Sequence, residues 1–235
     1  MDDTRKTNQT ETASDGSSNR KPDELPRKYF ELKEWDKLYA FLLDFETFDA
    51  LYKKNKDELG EYWRALQNEN KEKYSPAKYL DLDNNGTDRE TIARYYTIGF
   101  FVSTALADYV LTLEFYLKAL AIAEKVFGLE HIATALFYNN IGLVYGAMGD
   151  NETALEYFQK NLAVCEKVRG FEHPDTAEAY DNIGMIYSGI GNNETALEFF
   201  QKDLAICEKV LGKDHPNTVQ VSQRIADLRK LMGTT

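Results

Sequence analysis

A chain of 235 residues, 43% hydrophobic and 29% charged, has the makeup of an ordinary folded protein with one or two cores. Its formal charge of −11 argues against a broad surface for nucleic acid or anionic membrane, both of which need clustered Lys and Arg, and favours basic partners. No apolar run reaches the roughly 20 residues of a bilayer span and the N-terminus has no apolar signal-peptide core, so the expected location is cytoplasmic, without membrane insertion.

Residues 1–20, rich in Ser, Thr, Asn, Asp and charge, are predicted to form a disordered tail. Over residues 21–70 apolar positions return at helical spacing: Leu25, Tyr29 and Leu32, then Trp35, Leu38 and Leu42, then Phe45, Phe48 and Tyr52, then Leu59, Trp63 and Leu66. This predicts a helical spacer of three or four short helices, broken at Lys33-Glu34, at Asp44 and within Lys53–Asp57. Residues 71–87 are polar and read as a junction, with Ser75-Pro76 suited to start a short helix. The stretch Asp81–Gly86 copies the first half of a calcium-binding loop, but Ile92 stands where the bidentate Glu should be, and a solvated turn is predicted.

The strongest signal comes next. Residues 128–169 match residues 170–211 at 26 of 42 positions without a gap. A fixed period of that size means stacked supersecondary units that share one continuous core. Each unit reads as two helices. Tyr138, Ile141, Gly142 and Tyr145 share a face of the first, Gly149-Asp150 break the chain, and Ala154, Phe158, Leu162 and Cys165 build the apolar face of the second. Gly142 and Gly184 lie mid-helix, where Gly costs roughly 1 kcal/mol relative to Ala, so close approach of Phe158 and Phe200 is expected there. Gly170 and Gly212 suit helix ends, and Asp175 with Glu178 is expected to form a capping box. A degenerate copy occupies residues 88–127, where Gly99 fits the small-residue position only after a one-residue shift. A capping helix is expected within residues 212–235, Arg229 replacing the tyrosine of earlier copies.

Three histidines, His131, His173 and His215, recur at one phase of the connectors. They are neighbours along a ridge, too far apart to converge on a metal, and are predicted to cap or pack the turns. Cys165 and Cys207 also share one phase, where Ala123 stands in the degenerate copy, and are expected to be small buried side chains. Glu124-Lys125, Glu166-Lys167 and Glu208-Lys209 are predicted to be exposed helix ends. No catalytic set emerges and no cofactor is implied.

Tyr138, Ile141-Gly142, Tyr145, Ala154 and Phe158, with Tyr180, Ile183-Gly184, Tyr187, Ala196 and Phe200, resemble the tetratricopeptide repeat. The long period and the connectors H-P-D-T and H-P-N-T are similar to the subclass found in kinesin light chains and nephrocystin-like proteins. The resemblance implies an all-α fold, a right-handed α-solenoid of helical hairpins. In the spacer, Glu24–Pro26, Trp35, Phe41–Asp44, Phe48-Asp49 and Tyr62–Arg64 resemble the segment between the nucleotide-binding module and the repeats of nephrocystin-like proteins, although no phosphate-binding loop is present. That likeness implies an alternative role, a regulatory or sensor arm of an NTPase-linked switch.

Asn140 and Asn182 precede the Ile-Gly pair of successive first helices, where many tetratricopeptide arrays present asparagines to the inner groove. An amide donates and accepts, so it pairs with the backbone of an extended peptide whatever its side chains. Leu143 and Met185 would add apolar contacts, and Asn139, Asp181 and Arg224 would tune charge. The same asparagines also suit a second role, bridging neighbouring first helices. The leading expectation is a non-enzymatic adaptor that holds an extended protein segment. Poorly covered repeat ends add an expectation of self-association.

Overall fold

Capping side chains and left-handed residues set most of the helix limits in the computed structural model, which describes residues 24–81 and 86–233. The tail expected over residues 1–20 and most of the turn expected at Asp81–Gly86 lie outside those residues. The chain divides into two compact units, Met1–Tyr74 and Ser75–Thr235.

In the first unit, α1 (Leu25–Glu31), α2 (Trp35–Leu42) and α3 (Phe45–Asn70) follow one another closely. Lys33 adopts a left-handed conformation and closes α1, with the amide of Glu34 donating to the carbonyl of Tyr29 at 2.8 Å. The Asp44 carboxylate caps α3 by accepting from the amide of Thr47 at 2.9 Å. The break expected within Lys53–Asp57 is a kink. Asn55 leaves helical geometry at φ −156°, and its side-chain oxygen caps the second half of α3 through the amide of Glu58. Trp63, Leu38, Leu42, Phe48 and Leu66 are fully buried, with Tyr39 edge-on to Trp63 at 5.8 Å.

The second unit opens with a 3₁₀ turn, Pro76–Leu80, begun by Ser75 as its residue type dictates. Seven helices follow: α4 (Asp88–Phe101), α5 (Tyr109–Phe127), α6 (Ile132–Ala147), α7 (Asn151–Val168), α8 (Pro174–Gly189), α9 (Asn193–Val210) and α10 (Pro216–Met232). Each helix packs on the next, so α4–α5, α6–α7 and α8–α9 are hairpins and α10 lies against α9. The core runs on between hairpins: Ile183 of α8 packs with Ala154 and Phe158 of α7, and Val221, Ile225 and Leu228 of α10 pack with Ala196 and Phe200 of α9. The described residues are all-α, and those of the second unit form a solenoid of helical hairpins.

The glycines explain the close approach. A Cβ on Gly142 or Gly184 would stand 2.8 Å from the ring of Phe158 or Phe200, and a Cβ on Gly99 would stand 2.8 Å from Tyr116. Gly99 therefore is the first member of the series, one residue out of step. A π-helical turn at Val102–Leu106 absorbs the extra residue. The chain then passes through Ala107 at φ 51°, a left-handed position taken by Gly149 and Gly191 in later hairpins.

Two expectations need correction. His173, not Asp175, caps α8: its Nδ1 accepts from the amide of Asp175 at 3.1 Å, so Asp175 is already inside the helix and no box with Glu178 forms. His131 and His215 cap α6 and α10 in the same way. The Glu-Lys pairs are also more than exposed ends. Tyr138 and Tyr180 donate to Glu124 and Glu166 at 2.9 and 2.6 Å, and Lys167 and Lys209 reach Glu130 and Glu172 in the preceding connectors. The end of each second helix is thus stitched to its neighbours.

Candidate functional site

Of the first helices α4, α6, α8 and α10, polar side chains join α6 to α8 and α8 to α10. The Nδ2 of Asn182 on α8 donates to Oδ1 of Asn139 on α6 at 2.8 Å, and Nδ2 of Asn139 donates to Glu178 at 3.3 Å. One repeat later the same two positions are Asp181 and Arg224, which form an ion pair between α8 and α10. Both side chains are largely covered, so desolvation strengthens their attraction.

Asn140 behaves differently from its counterpart. Its Nδ2 donates to the carbonyl of Leu136 in its own helix at 2.8 Å, and the residue is half-buried. The position before it in chain space is held by Tyr96, whose ring packs on Tyr116 and Phe137 and presents no amide to pair with. Asn182, only 5% exposed, is engaged between helices, as the bridging alternative describes. Asn140, Leu143 and Met185 all remain partly exposed.

Leu143 and Met185 are 42% and 38% exposed. Phe100, at 39%, completes their row, because each follows a close-approach glycine: Gly99, Gly142 and Gly184. Sequence reasoning missed Phe100 because the one-residue slip in the degenerate copy sets it against Gly142 instead of Leu143. The signal was present in Gly99, which aligns the two helices once its role is recognised.

Beneath this face, Asp203 on α9 is 2% exposed. Burial, together with the nearby Asp181 charge, pushes its carboxyl up to about 6, partly opposed by a hydrogen bond from the Cys207 thiol at 3.1 Å and by Arg224. Cys207 and Cys165 are buried free thiols, as their phase suggested, and burial holds them up at about 12 and about 11, far from thiolate reactivity. The Asp203 position in the preceding repeat is Asn161, whose Nδ2 donates to the carbonyl of Ala135 at 2.9 Å.

A family model described as tetratricopeptide repeat matches residues 91–160 and 135–209, together half of the chain. The chain belongs to the tetratricopeptide repeat family. A comparison with curated proteins found no match. Among solved structures, the array is similar to BtubC (BKLC) from P. vanneervenii, with a TM-score of 0.62 at 16% identity, covering 90% of this chain and 82% of that one. It is also similar to a Podosopora anserina putative kinesin light chain with nearly identical TPR-like repeats, with a TM-score of 0.54, 18% identity and coverage of 90% and 85%. The Rap conjugation gene regulator of the plasmid pLS20, solved in complex with the Phr* peptide, gives a TM-score of 0.54 at 18% identity. That match covers 95% of this chain and 55% of the regulator. At such identities the shared property is the fold, a tetratricopeptide solenoid like those of the kinesin light chain type. No described helix is long and apolar enough to cross a membrane.

Proposed function

We propose that the tetratricopeptide array is a non-enzymatic adaptor that holds an extended peptide against the open side of its first helices. The observation that carries this reading is the row Phe100, Leu143 and Met185, three large apolar side chains left exposed at one phase of adjacent helices. Exposed apolar residues scattered singly are ordinary, whereas their recurrence at one phase of successive first helices is the pattern of an interaction surface. Asn140 lies beside the row and supplies an amide for ligand backbone once it releases Leu136. Asn139, Asn182, Asp181 and Arg224 form the wall that fixes helix spacing, and Arg224 also borders the open side. The pLS20 regulator, which holds a peptide on a related fold, supports the ligand class.

The test is capture of short unstructured peptides from a synthetic library by the full chain, compared with a Leu143→Ser/Met185→Ser variant. Each lost side chain removes about 1 kcal/mol of apolar burial, so the double variant is expected to bind about thirtyfold more weakly while melting normally. A double variant that captures peptides as well as the wild type would overturn the assignment.

The spacer-like unit keeps a second role in view, that of a regulatory arm for a nucleotide-driven protein of nephrocystin-like organisation working in the cytoplasm. Its support is the set of aromatic residues gathered around Trp63 and Phe30. Association of residues 24–66 with a separate NTPase, and no peptide capture by the repeats, would favour it. Exposed Val219 and Leu231 on the last helix support self-association, which sedimentation of the full chain would reveal as a dimer.

A further inference from the structure

The row that begins with Phe100, Leu143 and Met185 continues at Asp227 on α10, 42 residues beyond Met185. One helical stretch earlier, the parallel row is Ala93, Leu136, Glu178 and Gln220, of which Leu136 is 44% exposed. The first row stays apolar through Met185 on α8 and becomes acidic at Asp227 on α10, whereas the second turns polar already at Glu178 on α8 and stays so at Gln220 on α10. Glu178 and Asp227 accept hydrogen bonds from neutral amides only, those of Asn139 and Gln223, and neither has an ion-pair partner among the described residues. Arg224, one turn before Asp227 on α10, is paired with Asp181.

Between α8 and α10 lies an open hollow of about 560 Å³, bordered by Met185, Ser188, Arg224, Asp227, Leu228 and Leu231. Its floor is apolar, and its rim carries the Asp227 carboxylate beside the Arg224 guanidinium, whose charge is already engaged by Asp181. A long aliphatic stem ending in a cation fits that pattern, with methylenes on Met185 and Leu228 and the charge at Asp227.

We infer that the array reads an extended peptide with an apolar side chain at every third position and a Lys or Arg three residues beyond the last of them, seated at the α10 end. This rests on the groove reading above. The spacing follows from geometry, because packed helices stand about 8–10 Å apart, and a peptide extended as polyproline II advances about 3.1 Å per residue and returns to the same face every third residue. Three apolar contacts and one basic contact therefore require about ten residues. The gradient from apolar to acidic fixes the direction of the ligand's side-chain pattern along the array, whichever way its backbone runs.

The test uses two fluorescent twelve-residue peptides with Leu at every third position and Gly or Ser between, one carrying Lys and the other Glu at the next position in the series. Both are made in both chain directions and titrated into the full chain by anisotropy. The Lys peptide is expected to bind at least fivefold more tightly than the Glu peptide. Asp227→Lys, an exposed change that leaves the melting temperature alone, is expected to reverse that preference. Equal binding of the two peptides, or a Lys preference that survives Asp227→Lys, would overturn the inference. If library peptides bind and neither designed peptide does, the pattern is wrong and the groove stands; if no peptide of any kind binds, both fail.

Discussion

The junction between α6 and α8 and the junction between α8 and α10 are built at the same positions, 42 residues apart, yet they use different chemistry. The first is built on amides: Asn139 meets Asn182 and donates to Glu178, while Asn161 of the adjoining α7 donates to Ala135 of α6. The second is charged: Asp181 meets Arg224, and Asp203 replaces Asn161 with only a thiol donating to it. The hydroxyls of Thr134 and Thr176 each donate to a connector glycine carbonyl at 2.7 Å, whereas the equivalent Thr218 hydroxyl is buried without a partner. A repeat scaffold thus fixes where two helices touch and leaves open how. The charged junction is the one that salt and pH act upon.

The largest expected effect that separates the two comes from Arg224→Ala. It leaves Asp181 largely covered and unpaired beside Asp203, and is expected to cost about 2 kcal/mol in urea unfolding, reduced from the value for a fully buried pair because both side chains retain some exposure. Asn182→Ala at the amide junction should cost about 1 kcal/mol. Raising the salt to about 1 M should shrink the Arg224 loss and leave the Asn182 loss alone. Equal salt responses would mean that charge does not distinguish the junctions.

Asp203→Asn comes next. The folded carboxyl sits at about 6, above its ordinary unfolded value of 3.8, so the native state holds the proton more tightly. Its ionisation therefore destabilises the fold as pH rises through about 6, and this penalty disappears as pH falls towards 4. Asparagine removes the charge and restores the donor that Asn161 uses. The variant is expected to be about 1–2 kcal/mol more stable than the wild type at pH 8, with the difference closing below pH 4. A difference independent of pH would refute the burial of a charged group here.

Smaller still, Thr134→Val and Thr176→Val should each cost about 1 kcal/mol, while Thr218→Val should be neutral or slightly stabilising, since it removes a hydroxyl that has nothing to bond. Chemical denaturation of the three variants under one set of conditions decides it. The smallest effect concerns the first hairpin. Ala107→Gly relieves a left-handed alanine where later hairpins have glycine, and should add about 0.5 kcal/mol, or about 1–2 °C in melting temperature.

The family and the hairpin order were legible because the 42-residue copy is ungapped, and Gly142 and Gly184 stated their own packing partners. The capping histidines were legible from phase alone. The roles of Asn140 and Asn182 were not. Identical residues at identical phase took different partners, because the preceding helix offers Asn139 to one and a stacked Tyr96 ring to the other. Phase describes the residue, whereas the hydrogen bond depends on the neighbour. Asp203 was hidden for a similar reason, since an Asp-for-Asn exchange looks conservative until both are seen to be sealed between helices. Phe100 was concealed by a single inserted residue that the π-helical turn absorbs.

The most direct test of the central claim, that a ligand lies across the open side of the first helices, is a methyl NMR titration of the full chain labelled at its four methionines. Met185 lies in the proposed groove and Met148 at the exposed turn of the α6–α7 hairpin. A library peptide that binds should shift the Met185 methyl saturably and leave Met148 in place. Saturable binding with Met185 unmoved would place the ligand elsewhere and contradict the account.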